Sequence, residues 1–305
     1  MKIFNKTYLF LFFVCIADIH ALAQASKILT DVSIKSEILS KDKLYNIYLP
    51  PGYDSSQQVY PVLYLLHGSG TRPDLHHRLV DGGFQGKMDS LIAIGKLNPM
   101  VVVIPDAEMT FYLNNINGEY QFEDYFIEEL VPAVEERFKC GGEKAFRGIA
   151  GESMGGFGAL LYSLHHPELF NACAVLAAAI RTDEQIEEMP YEYFLKNYKS
   201  AFGEINKNTA RTNDFWNANS ILYLISNLPV EKIRQVNYYI DIGDDDHLYK
   251  GNSLLHIKLR DLEISHEYRV RDGKHNGIYF RTALDDALIF ISNNFNNPLT
   301  TTNKR

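Results

Sequence analysis

No long run of lysine or arginine occurs in the 305 residues, and acidic side chains outnumber basic ones, 38 against 30. That balance excludes a nucleic-acid footprint and a patch for anionic membranes. Cysteine is scarce, at three residues, too few to staple a chain of this length, so the core must carry the fold. Repeats and low-complexity tracts are also missing. What is present is 46% hydrophobic residues against 22% charged ones, which excludes a disordered or collagen-like chain. One large α/β domain or two small domains would fit, with a small molecule or a neutral polymer as partner.

The chain starts with a segment to set aside. Lys2 and Lys6 precede the apolar run Tyr8 to Ile16, and Ala21-Leu-Ala23 follows. This reads as a secretory signal peptide spanning 1–23, cleaved after Ala23, because a membrane helix needs roughly 20 apolar residues and this run is shorter. Phe12-Phe13-Val14 before Cys15 does not suit a lipoprotein. The expected location is therefore secreted or periplasmic, with no membrane insertion after cleavage. Cys140 and Cys173 remain in the exported chain. In the sheet proposed below they fall near the starts of two neighbouring parallel strands, which leaves open a disulfide or two free thiols.

From Val32 to Pro50 two alternating stretches flank the polar Ser40-Lys-Asp, the pattern of an antiparallel pair. Continuous apolar runs follow: 61–66, 100–104, 145–150, 172–177 and 236–242. Such runs suit parallel strands covered on both faces. Between them lie helical patterns, clearest from Phe122 to Phe138. The alternation predicts an α/β fold, a mostly parallel doubly wound sheet with N-terminal antiparallel strands and helices on both faces. A single domain over 24–298 is expected, with an aromatic-rich insertion at 180–235 over the sheet. The polar tail from Asn293 reads as frayed, and 299–305 as disordered.

The chemistry concentrates at Gly151-Glu-Ser153-Met-Gly155-Gly156, between a strand pattern and a helix pattern. That is the context of a nucleophile elbow, in which flanking glycines clear space for a strained turn that exposes the serine Oγ. A serine hydroxyl needs a histidine to take its proton and a carboxylate to hold that histidine. Both follow in order. Gly243-Asp-Asp-Asp246 ends an apolar run, and Asp272-Gly-Lys-His275 follows the next strand pattern, so both loops belong on the rim of the elbow. His76 and His77 lie in the loop after Gly68 and would shape the pocket; no metal site is expected there, since no acidic or cysteine ligand stands at useful spacing. His165 and His166 read as polar caps of a helix end.

Acyl transfer also needs two amides at the developing oxyanion. One belongs to Met154, the residue after the nucleophile. The other is placed at Ser69 in His67-Gly-Ser-Gly70, with Gly70 as the alternative.

Tyr60 to Gly68, Val103-Ile-Pro-Asp106, Glu128 to Pro132, Gly151 to Gly156, Gly243 to Asp246 and Gly273-Lys-His275 together resemble the esterase D family of α/β-hydrolases. The likeness runs from about Ile34 to Phe290. It includes the feruloyl and acetyl-xylan esterases of carbohydrate esterase family 1, S-formylglutathione hydrolases, tributyrin-type esterases and mycolyltransferases. The resemblance implies an acyl-enzyme mechanism without cofactor or metal, on Ser153, His275 and an acid at Asp246 in preference to Asp244 or Asp245. It also relates Tyr112 to the family's tyrosine after the strand-end Pro-Asp, a candidate pocket residue.

One departure concerns the histidine: Asn276-Gly277 follows it where the carbohydrate esterases often have aromatics, with Tyr279 and Phe280 later. The aromatic insertion, Trp216 included, would form the platform for a sugar or phenolic ring. The expected activity is a secreted serine carboxylesterase acting on acetyl or feruloyl esters of plant polysaccharide. Its rivals are a mycolyltransferase-like acyltransferase, a siderophore esterase and a non-catalytic carbohydrate-binding protein of the same fold.

Overall fold

A computed structural model describes residues 25–69 and 82–295. The leader at 1–23, His76, His77, the alternative donor Gly70 and the 299–305 tail lie outside the described residues.

Eight strands form one sheet: β1 (Lys27–Ser36), β2 (Lys41–Leu49), β3 (Val62–Leu66), β4 (Val101–Pro105), β5 (Arg147–Glu152), β6 (Ala172–Leu176), β7 (Asn237–Gly243) and β8 (His266–Arg271). Their spatial order is β1-β2-β4-β3-β5-β6-β7-β8. The β1–β2 and β2–β4 pairs are antiparallel. Every pairing from β4 through to β8 is parallel.

Strand alternation assigns the two faces. Val62, Tyr64 and Leu66 join one apolar cluster, while Leu63 and Leu65 join the other. The first face is covered by a rod at 122–137, called α2, and by α3 (Met154–His165); the second by α1 (Phe84–Ala93) and α10 (Gly277–Asn294). The middle of α2, Tyr125–Leu130, is a π-helical stretch, so Tyr125 is buried beside Phe126 although a uniform 3.6-residue period would not favour it. The helix α10 persists through Asn294, where the sequence reads as frayed.

Between β6 and β7 the chain carries α4 (Asp183–Glu187), α5 (Tyr191–Phe202), α6 (Asp214–Asn219), α7 (Ile221–Asn227) and α8 (Val230–Ile233), with no strand among the described residues. Local chemistry starts these short helices. Thr182 and Gln185 form a reciprocal capping box, and Asn213 and Ser220 cap α6 and α7. Arg211, buried, crosses over the Phe194 ring and donates to the Ile186 carbonyl, tying α5 to α4. After β7, α9 (Tyr249–Asp261) leads to β8. No helix among the described residues is long and apolar enough to cross a membrane.

Two points left open or misread in the sequence are settled by the structure. Cys140 lies beside Tyr60, just ahead of β3, while Cys173 is in β6 opposite Ile149 of β5. Both thiols are free and buried. His166 is the C-cap residue of α3, its backbone N–H donating to the Tyr162 carbonyl, but the imidazoles of His165 and His166 do not serve the helix end: both turn to one buried acid, Glu123, at 2.7 and 3.0 Å. A carboxylate in an apolar layer attracts two nearby imidazoles more strongly than exposed carbonyls do.

Candidate active site

Parallel strands point their carboxyl ends to one rim, and loops from β3, β5, β6, β7 and β8 meet there. Ser153 sits between β5 and α3 with φ of 53°, a left-handed conformation that costs a serine about 1 kcal/mol or more. The surroundings enforce it. A Cβ on Gly151 would lie 2.3 Å from the Gly155 carbonyl carbon, and one on Gly155 would lie 2.1 Å from the Leu66 oxygen. Only glycine permits this approach of turn to strand. Oγ is thereby placed at the positive end of α3, whose first residue is Met154.

The His275 Nε2 lies 2.8 Å from Ser153 Oγ, and its Nδ1 lies 2.7 Å from Asp246 Oδ2. A carboxylate can only accept, so Nδ1–H donates to Asp246 and Nε2 keeps a lone pair for the serine proton. Asp246 is buried and its other oxygen accepts the Leu248 N–H at 2.8 Å. The three adjacent aspartates thus separate by role. Asp244 accepts the Gly273 N–H at 3.0 Å and anchors the histidine loop, while Asp245 is exposed, with Lys274 3.9 Å away.

Beneath that rim, buried Asp241 accepts from the hydroxyls of Tyr239 and Tyr279, each at 2.7 Å, and from Arg271 Nε at 3.0 Å. This network joins β7, β8 and α10. Asn276 caps α10 by accepting from Ile278 and Tyr279 amides, and Phe280 packs edge-on against His275 at 5.1 Å. The residues after the histidine therefore support the ring from behind.

His67 organises the opposite wall. Its Nε2 accepts the Ala107 N–H at 3.1 Å, which leaves the proton on Nδ1 to donate to the Gly68 carbonyl at 2.8 Å. In a trans peptide the next N–H points away from that carbonyl, so the Ser69 N–H faces away from His67. Ser69, Met154, Ser153 and His275 line one cavity of about 240 Å³.

Two predicted pocket residues are elsewhere. Trp216 is only 4% exposed; its indole packs on Phe202 and donates to Asp183 at 2.9 Å, inside the insertion. A bulky indole with a partnered N–H gains more there than at an open wall. Tyr112 is fully buried beneath the site, its hydroxyl 2.9 Å from the His67 carbonyl. The cavity is walled instead by Phe111, Arg181, Tyr193, Asn197, Tyr198 and His247; Tyr193 and Tyr198 belong to the aromatic insertion expected to form the platform, whereas Phe111, Arg181, Asn197 and His247 were not singled out by sequence for this place. His247 had one visible signal, its position directly after the acid. Burial, and then the charge of His275, hold its pKa below the ordinary value, so it is neutral at pH 7.

Asp246, His247 and His275 offer three ligand atoms within 4.8 Å of one another. Asp246 already serves the His275 N–H and the Leu248 amide, so a cation there would compete with the triad.

A mostly parallel sheet with serine on a strand–helix elbow, and acid and histidine on later loops of the same rim, defines the α/β-hydrolase class. Within it, the chain belongs to the Esterase family, whose model matches residues 36–291.

An endo-1,4-beta-xylanase/feruloyl esterase of Xylanibacter ruminicola is 34% identical over 168 residues, 52% of this chain and 22% of that protein. The chain thus spans less than a quarter of that relative's length. An acetyl esterase of Caldicellulosiruptor saccharolyticus is 26% identical over 198 residues, 63% of this chain and 72% of its own. A solved ferulic acid esterase superposes with a TM-score of 0.74 at 28% identity, covering 89% of this chain and all of that one.

Proposed function

We propose that this protein is a serine carboxylesterase acting through an acyl-enzyme, exported from the cytoplasm, with acetyl or feruloyl esters of plant polysaccharide as substrates. The observation that carries the reading is the continuous Asp246–His275–Ser153 chain, with links of 2.7 and 2.8 Å. Ser153 Oγ attacks the ester carbonyl while His275 Nε2 takes its proton, and Asp246 holds the ring and stabilises the imidazolium. The amides of Met154 and Ser69 receive the developing oxyanion, where one donor is worth roughly 10²–10³ in rate. His275 then protonates the departing alcohol, and water repeats the sequence to free the acid. No step calls for a metal or organic cofactor.

The acyl and alcohol preference draws support from the names of the relatives and from the tyrosines of α5 at the cavity, Tyr193 half-exposed and Tyr198 buried. Export draws support from the leader pattern of residues 1–23. The test is hydrolysis of p-nitrophenyl acetate, methyl ferulate and acetylated xylan by wild type and Ser153→Ala. Turnover by wild type alone is expected; folded protein inert on all three would overturn the reading and favour a transferase or binding role.

A further inference from the structure

Arg181 presents the cavity with a charge that no described residue lining it neutralises. An arginine side chain brings a planar, delocalised positive charge. Among the described residues lining the cavity there is no carboxylate, and no ion pair to Arg181 is formed. Its Nε is buried and has no hydrogen-bond partner. The neighbouring groups do not compensate: Tyr198 beside it is kept neutral by burial, although Arg181 opposes that, and His247 is neutral at pH 7. The side-chain hydrogen bond of Arg181 goes to the neutral Tyr198 hydroxyl, which leaves the charge unanswered and Nε free to bind; a guanidinium so placed matches a carboxylate, which it can hold through two parallel hydrogen bonds.

Its position is set by the nucleophile. Ala179, two residues earlier, donates its N–H to the Ser153 carbonyl at 2.9 Å, and Thr182, the next residue, is buried as the cap of α4. The backbone on both sides of Arg181 is therefore fixed relative to the reacting serine.

We propose that Arg181 is a specificity-determining residue, binding a carboxylate carried by the ester substrate near its scissile bond. The proposal rests on the esterase reading and narrows it to anionic esters. Arg181 does not hold the tetrahedral oxyanion, which faces the Met154 and Ser69 amides.

Two matched pairs test it on the full chain: p-nitrophenyl butyrate against p-nitrophenyl hemisuccinate, with the charge on the acyl side, and phenyl acetate against 4-acetoxybenzoate, with the charge on the alcohol side. Wild type should prefer the anionic member of one pair, which identifies the side. In Arg181→Gln that preference should fall at least tenfold, through KM more than kcat, and Arg181→Lys should restore part of it. Raising NaCl from 0.02 to 0.5 M should weaken it in wild type, since charge attraction is screened; a merely structural arginine would not produce that dependence. Turnover without anionic preference, or with the same preference in Arg181→Gln, overturns the role of Arg181 and leaves the esterase reading intact. If no ester is turned over, the esterase reading falls. Calorimetric binding of benzoate to Ser153→Ala against the Ser153→Ala/Arg181→Gln double variant then decides Arg181 alone, with equal affinities sinking it.

Discussion

The phenol of Tyr112 donates to the main-chain carbonyl of His67, 2.9 Å away, and so fastens the loop that carries Ser69, the proposed oxyanion donor. Tyr112 is itself held with φ of 61°, and its neighbour Phe111, at 55°, turns the other way to stack on Tyr198 in the cavity wall. Tyr112→Phe removes one buried hydrogen bond, worth about 0.5–1.5 kcal/mol. The variant should melt a few degrees lower and lose several-fold in kcat at nearly constant KM. An unchanged kcat would mean that the loop is held without this bond.

The three aspartates after β7 should respond differently. Asp246→Asn leaves His275 in the wrong tautomer and should lower kcat by about 10³–10⁴-fold. Asp244→Asn loosens the Gly273 anchor and should cost far less, and exposed Asp245→Asn should cost nothing measurable. Steady-state kinetics on p-nitrophenyl acetate reads all three, and a dominant loss at Asp244 would reassign the acid.

Gly155→Ala should fail to form the elbow. Its Cβ would meet the Leu66 oxygen at 2.1 Å, a backbone atom of a central strand that cannot move aside. Overpacking of this kind costs roughly 1–3 kcal/mol and occasionally more. Thermal melting and soluble yield would reveal it; a variant with wild-type melting and activity would contradict the packing described.

The Glu123 cluster predicts a pH-dependent contribution to stability. Burial alone would raise the Glu123 carboxyl, but hydrogen bonds and charge from His165 and His166 outweigh it and hold the pKa below 4.5. Burial also disfavours charged His165, and Glu123 outweighs that, lifting it above 6.5. The histidine contribution is complete below pH 6.5 and fades as pH rises through the raised value. The glutamate contribution is complete above pH 4.5 and fades as pH falls through the lowered one. The cluster is thus strongest between those limits. Glu123→Gln should cost about 1.5–3 kcal/mol at pH 5.5 and less at pH 9 by urea unfolding. Equal losses at both would remove the ionic account.

The parallel strands were legible because a strand covered on both faces has no polar side: Val101, Val102 and Val103 are all fully buried. The triad was legible because Gly151, Ser153 and Gly155 encode a turn that only one chemistry commonly uses, and acid and base must then follow on the same rim. Trp216 and Tyr112 were misplaced because an aromatic in a loop or short helix reads alike whether it faces a cavity or a neighbouring helix. Their partners, Asp183 and the His67 carbonyl, are distant in sequence. Arg181 was invisible for the converse reason: a single arginine after a strand looks solvated until the fold places it in a cavity to which no described residue brings a carboxylate. The cysteine pairing stayed open because neighbouring strands do not by themselves bring two thiols within bonding distance; in the folded chain both are free.

The two free thiols have a consequence for how the molecule matures. Burial pushes the Cys173 thiol up to about 12 and raises Cys140 as well, so neither forms the reactive thiolate at ordinary pH. Free and buried in the same apolar layer, they give folding no oxidative step to wait for, and no bond for a reducing compartment to undo. Where the enzyme works is then a question of delivery, not of the redox conditions under which its scaffold is assembled.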